Sequence, residues 1–420
     1  MNRMHTRRFP TPIHHDGRDY LTTGQVARLL GVKVPTVYAY VSRGRLTSAR
    51  IDGVDGSVFA VEEIENLVSG RRGRAPAGVV ERIQTRLTLL NGDQLFYRGR
   101  DVAELVATER FEDVANLLWD NDVDWKSSHA VDRGGLRSVI RAAGGPNARG
   151  LDLIRLTVDV LGARDPGRHR RESSAVADTA ARIIGACVDV LDPDGTCATE
   201  PAGTIAARLW PCLTDERPTR RKIDALDAAL ILLADHDLAA GTIAARVAAS
   251  ARGSIYAVLG AGLGAFDGPV HGGATTLAHR FLADALDDPA AALSEQLYLG
   301  RPVPGTGHVV YRHRDPRAEI LIELLRTSGG GDRRVMPAVD DIRRQLPDGT
   351  FVNSDFALAA LALRHRMTPD AAETIFGLAR MVGWTAHALE EYGERRLRFR
   401  PEGVYTGVRP GASPPFPPQT

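Results

Sequence analysis

The segment Val303-Pro304-Gly305-Thr306-Gly307-His308, continued by Tyr311-Arg312-His313-Arg314-Asp315-Pro316-Arg317, carries residue types suited to a small anionic carbonyl compound. Two glycines and a proline set a tight backbone path that a ligand can approach closely. His308 stands at its end and can hydrogen-bond a carbonyl oxygen. Arg317 follows nine residues later, beyond an Asp-Pro, and its guanidinium can fork a carboxylate. A second glycine-rich element with a histidine, Gly268-Pro269-Val270-His271-Gly272-Gly273-Ala274, lies upstream. Asn353-Ser354-Asp355 lies downstream.

The elements that must position these groups read as helices. Alanine, leucine and arginine are abundant and aromatic residues few, which favours a mainly α fold. Asp101 to Trp119, Leu151 to Leu161 and Leu226 to Ala251 space their apolar residues by three and four. Asp315-Pro316-Arg317-Ala318 can start a helix, with aspartate at the cap and proline in the first turn. Taken singly, His236 is a core histidine on an apolar helix. Asp355 is a cap for a helix starting near Phe356. Arg380 and Arg400 are surface cations.

The amino-terminal part reads differently. Residues 1–20 show no period and read as a flexible tail. In residues 21–70, Thr22-Thr23 can cap a first helix ended by Gly31, and Pro35 opens a second ended by Gly44. Ile51 to Ala60 reads as a β-hairpin wing and Val61 to Val68 as a third helix. A basic linker, 71–80, holds Arg71, Arg72 and Arg74. Residues 409–420 form a Pro-rich tail.

At 420 residues the chain can bury two or three domains' worth of core, and its net charge of +1 gives no global pull toward nucleic acid or membrane. Cys187, Cys197 and Cys212 fit no metal-ligand pattern and cannot all pair, which suits a reduced, cytoplasmic protein. No apolar run is long enough to span a membrane, and the first residues lack the apolar core of a secretory signal.

The motifs together resemble the citrate synthase family over about residues 81 to 408. Its pattern is a histidine in G-P-x-H-G-G-A, a histidine in P-G-x-G-H with a following D-P-R, and an aspartate in N-x-D. Ala234-Asp235-His236-Asp237, the run Leu378 to His387, Arg400-Pro401 and the opening segment Tyr97-Arg98-Gly99 add to it. The resemblance implies a large helical domain, 81–278 with 374–408, and a small one, 279–373. It implies His271, His308 and Asp355 as catalytic residues, with Asp355 the base that takes a methyl proton. His271 would hold the thioester oxygen, and His308 would polarise the ketone of oxaloacetate. His236, Arg317, Arg380 and Arg400 would grip oxaloacetate, Arg400 from the neighbouring subunit of a homodimer. Pro304, Gly305, Thr306 and Gly307 would meet coenzyme A through their backbone. No permanently bound cofactor is implied, and acetyl-CoA is the cosubstrate. A 2-methylcitrate synthase acting on propionyl-CoA would keep the same catalytic set.

Three departures stand near the expected pocket. Ala239 and Gly241 replace an asparagine and a serine, Ala357-Leu358-Ala359 lacks the polar residues that usually follow the aspartate, and Gly150-Leu151-Asp152-Leu153 stands where H-P-M is usual. The amino-terminal part resembles the winged helix-turn-helix of MerR-like and excisionase-like regulators. That implies an alternative, a DNA-binding regulator with a metabolite-sensing body. Lys33, Thr36, Tyr38, Tyr40, Arg43 and Arg45 would lie on or beside the helix that enters a major groove.

Overall fold

A computed structural model describes residues 12–15, 18–61, 63–64, 67, 83–125, 133–192 and 203–399. Among these residues 17 helices account for a mainly helical protein. The chain divides into an amino-terminal unit and a larger one spanning Thr85–Phe399. No helix among the described residues is long and apolar enough to cross a membrane.

In the first unit, α1 (Thr23–Leu30) starts with a capping box. The Thr22 hydroxyl accepts from the Gln25 N–H, and Gln25 Oε1 accepts from the Thr22 N–H. Gly31, with φ of 66°, ends it. Helix α2 (Val34–Ser42) carries its proline in the first turn. Leu21, Val26, Val37, Tyr40, Leu46, Phe59 and Ile64 close a small core. The three strands differ from expectation. Residues 13–20 are not all tail: β1 (Ile13–His15) pairs antiparallel with β2 (Arg18–Thr22). The wing is not a hairpin within 51–60 either, because β3 (Val58–Ala60) pairs with β2 and Val58 bridges to Ala49. Leu21 and Phe59 sit opposite each other in that ladder and are both fully buried, so the core dictates the pairing.

The second unit begins with an antiparallel meander, β4 (Thr88–Asn91), β5 (Gln94–Tyr97) and β6 (Arg100–Asp101). The helical run from Asp101 to Trp119 is two helices, α3 (Val102–Thr108) and α4 (Phe111–Trp119). Next come α5 (Arg133–Gly144), α6 (Gly150–Arg164), α7 (Ser173–Leu191), α8 (Ile205–Leu213) and α9 (Arg220–Leu233). Then follow α10 (Ala240–Ser250), α11 (Ile255–Phe266), α12 (Ala274–Asp284) and α13 (Pro289–Tyr298). The last are α14 (Pro316–Thr327), α15 (Val335–Gln345), α16 (Ser354–Arg364) and α17 (Ala371–Tyr392).

Helix α17 is the hub. It is buried along nearly its whole length and packs on α4, α6, α7, α9, α10, α11, α12 and α16. A helix so enclosed need not be amphipathic. Its Trp384 explains one sequence departure. The indole lies against Gly241 and Gly262, where an added Cβ would come within 2.9 and 2.6 Å of it. Glycine at 241 admits the ring that a serine there would push aside.

The other departure of that segment has a measurable consequence. Ala239 is the N-cap of α10 and offers no side-chain acceptor. Ala239→Asn should therefore stabilise the folded chain by about 1 kcal/mol, read as a higher denaturant midpoint at unchanged slope.

Candidate active site

The apolar run from Leu226 to Ala251 is broken at His236, one of the candidate site residues. Helix α9 ends at Leu233 and α10 begins at Ala240. Asp237 adopts φ of 54° in the turn between them. His236 is thus on a connection, not within a helix. Its neighbour Asp235 is fully buried, accepting from Thr88 Oγ1 and lying 3.3 Å from His387 Nε2. Tyr97 reinforces the turn, its hydroxyl donating to the Asp235 carbonyl at 2.8 Å. His236 Nε2 lies 2.9 Å from the Tyr311 hydroxyl.

The glycine-rich loop and the aspartate are stitched together. The Gly307 N–H donates to the Phe351 carbonyl (2.8 Å) and the Asn353 N–H to the Gly305 carbonyl (2.9 Å). Asn353 Nδ2 donates to the Gly307 carbonyl (3.0 Å). Gly305, with φ of 77°, lies so close to Phe356 that a side chain would collide. These bonds occupy three of the backbone groups that Pro304, Gly305, Thr306 and Gly307 were expected to turn toward coenzyme A. His308 then follows in a fixed pose. Its Nδ1 accepts from the Val310 N–H at 3.0 Å, which assigns the ring proton to Nε2.

Asp355 is not a cap. Asn353 takes that role, its Oδ1 accepting from the N–H groups of Asp355 and Phe356. The Asp355 carboxylate is left free of local duty, and its Oδ1 is buried without a hydrogen-bond partner. Burial pushes its pKa up to about 6 against the opposing pull of Arg317 and Arg380.

His271 sits on a turn whose glycine backbone folds back on Phe266, the Gly272 N–H donating to the Phe266 carbonyl at 2.9 Å. Its ring packs 5.0 Å from Phe266 and 6.0 Å from Phe376. Its Nε2 is buried without a partner. Burial, with Arg380 nearby, lowers its pKa to about 4, so the imidazole is neutral at pH 7. His308 is likewise lowered to about 4, by burial and by Arg317. His236 is driven well below its usual value by burial first, then by Arg317 and Arg380.

Arg380 is no surface cation. It is 1% exposed, donates through Nε to the Leu233 carbonyl (2.8 Å), and has Nη2 buried without a partner. Arg317 is also buried, but its fork is turned on Asp315, with bonds of 3.0 and 2.7 Å. Asp315 caps α14 as its sequence suggested and also accepts from the Ser354 N–H, joining the arginine to the start of α16. Arg380 acts electrostatically on His236, His271 and Asp355. Arg400 lies outside the described residues.

Several contributors carried no assigned role in the sequence. Tyr311 contacts His236 and His308, its ring 4.8 Å from that of His308. Phe266 and Phe376 flank His271. Its place three residues after His308 could have pointed to Tyr311, whereas the two phenylalanines lie 110 positions apart and had no local signal.

In the first unit Lys33, Tyr38, Arg43 and Arg45 are exposed and Thr36 half-buried. Tyr40 instead fills the core, so it is not available to a ligand.

Comparison with known proteins bears on both units. The family model described as citrate synthase, C-terminal domain, matches residues 78–402, and one described as helix-turn-helix domain matches 20–72. A citrate synthase from Haloferax volcanii is 30% identical over 371 residues, covering 81% of this chain and 97% of the relative. A 2-methylcitrate synthase from Shewanella oneidensis is 29% identical over 345 residues, covering 76% and 91%. Among solved structures, the Thermoplasma acidophilum citrate synthase in ternary complex with carboxymethyl coenzyme A and oxaloacetate aligns with a TM-score of 0.66 and 25% identity, over 80% of this chain and 97% of that one.

Proposed function

The chain belongs to the citrate synthase family and is an acyltransferase of that type, and from this we propose that it condenses acetyl-CoA with oxaloacetate to citrate and free coenzyme A. The observation that supports it most is a set of three buried polar atoms without protein partners: Asp355 Oδ1, His271 Nε2 and Arg380 Nη2. Buried groups left unpaired cost stability, and they persist where a ligand completes them.

In the proposed reaction Asp355 takes a proton from the methyl group of the thioester, while neutral His271 holds the enolate oxygen. The enolate carbon bonds to the ketone carbon of oxaloacetate. His308 faces that ketone with its Nε2–H and supplies the proton that the alkoxide takes up. Water then hydrolyses the citryl thioester and releases the thiol. Arg380 and His236 hold the dicarboxylate, with Arg317 contributing through the Nη1 that is not bonded to Asp315. Residues 279–373 form the smaller lobe over the site.

A homodimer completes this reading. Val247 on α10 and Ala257, Gly264 and Ala265 on α11 are exposed small or apolar residues on two helices that pack on each other, which suits contact with a second copy. The segment leading to Arg400 is anchored beside it, the Leu397 N–H donating to the Ser250 carbonyl and Arg398 forking Glu391 at 2.7 Å. From there Arg400 would act in the partner's site. The proposed setting is the cytoplasm.

The test is release of coenzyme A by the purified chain from acetyl-CoA or propionyl-CoA with oxaloacetate. A preference for acetyl-CoA supports citrate synthase. A preference for propionyl-CoA makes the chain a 2-methylcitrate synthase, a difference of one methylene, which a pocket discriminates by about 1–3 kcal/mol. No turnover with either, in a folded dimer, overturns the synthase reading.

The exposed cations of the helix-turn-helix unit favour a second reading, DNA binding through residues 21–70. Retarded DNA migration at low salt, lost on deleting residues 1–78, would support it. No retardation would reject it.

A further inference from the structure

We propose that Arg149 is a positioning residue for His271, an inference that rests on the reading of His271 above. The segment around it is one where the chain departs from its family, and the structure gives that departure a purpose. Arg149 Nη2 lies 2.9 Å from Asp267 Oδ1, and its Nη1 lies 3.1 Å from Glu373 Oε1. Asp152 accepts from the same guanidinium at 2.9 Å. Arg155 takes the other oxygen of Asp267.

The two outer carboxylates are placed to matter. Asp267 directly follows Phe266 and opens the turn that carries His271. Glu373 is one turn of α17 before Phe376. Phe266 and Phe376 are the rings flanking His271, and they pack against each other at 4.9 Å. Arg149 therefore clamps the backbones beneath both rings and sets the gap in which the imidazole sits. Gly150 belongs to the same device. Its N–H donates to Asp370 at 2.6 Å, which a proline could not do, and a Cβ there would collide with Thr374. Glu373 is 2% exposed, so its charge depends on the guanidinium.

His236, His308 and Arg317 lie on other segments, and Arg380, though on α17, is anchored separately by its bond to the Leu233 carbonyl, so loosening the clamp should misplace His271 and spare oxaloacetate binding. A shift of about 1 Å in a catalytic group can cost on the order of 10²-fold in rate. Arg149→Met alone strands the Glu373 charge, so the double variant Arg149→Met with Glu373→Gln removes both. In that variant kcat should fall about 10-fold or more. Oxaloacetate affinity, measured by calorimetry, should stay within about two-fold. Arg149→Lys should recover part of kcat, because an ammonium reaches only one carboxylate. An unchanged kcat, or kcat and oxaloacetate affinity falling together, overturns the proposal. A readout independent of turnover separates it from the synthase reading. Histidine ring NMR signals of His271, identified by their loss in His271→Asn, should shift in the double variant. Unmoved signals overturn the clamp even if the wild-type chain proves inactive on the thioesters tested.

Discussion

Asp355→Asn should lower kcat by about 10²–10⁴-fold, the range a positioned general base contributes. Asparagine keeps the shape of the side chain, so oxaloacetate and thioester binding should change little, and the loss should appear in kcat. The pH profile carries the same information. Burial raises the carboxyl to about 6, and the proton-abstracting form is the carboxylate. Wild-type kcat should therefore fall as pH drops through about 6, and this acid limb should vanish from the residual activity of the variant.

The same substitution should stabilise the folded chain. A carboxyl whose folded pKa stands above its unfolded value binds protons more tightly when folded, so stability is lost as pH rises from about 4 to 6 and stays lost above. At pH 8 the wild type bears that cost in full. Removing the charge should recover up to about 3 kcal/mol, seen as a higher Tm at pH 8 and almost no gain at pH 4. A variant that is inactive and more stable would distinguish a functional carboxylate from a structural one, since loss of a structural partner lowers Tm.

His271→Ala should reduce kcat by about 10²–10³-fold, the loss that follows removal of one hydrogen-bond donor to a developing oxyanion. Its effect should be nearly independent of pH between 6 and 9, because the ring is held neutral by burial and by Arg380. Oxaloacetate affinity, measured by calorimetry, should persist, since His236, Arg317 and Arg380 remain. If affinity for oxaloacetate collapsed with kcat, the residue would belong to the dicarboxylate pocket and not to the thioester site.

Much of this was legible in the chain itself. Helix boundaries marked by Thr22, Gly31, Pro35 and Asp315 stand where local chemistry puts them, because a cap or a left-handed turn is decided by a few neighbouring residues. The residues of the candidate site were legible for another reason. His271, His308 and Asp355 each sit in a short motif that needs its own glycines or cap beside it. Those neighbours are the ones that fold the Gly307 backbone onto Phe351 and leave Asp355 uncapped.

Other properties emerged only in three dimensions. The break at His236 interrupts an apolar period that continues through it, so no local signal ends the helix. It is held by Thr88, Tyr97 and His387, brought from far along the chain. The pairing of Leu21 with Phe59 depends on a shared core and replaces a wing that sequence-local turns suggested. The lowered pKa of His271 and the raised one of Asp355 are sums of burial and of charges at the start of α14 and on α17, and no stretch of sequence contains that sum. Short-range geometry is written residue by residue, whereas desolvation and long-range charge depend on which distant segments come together to exclude water.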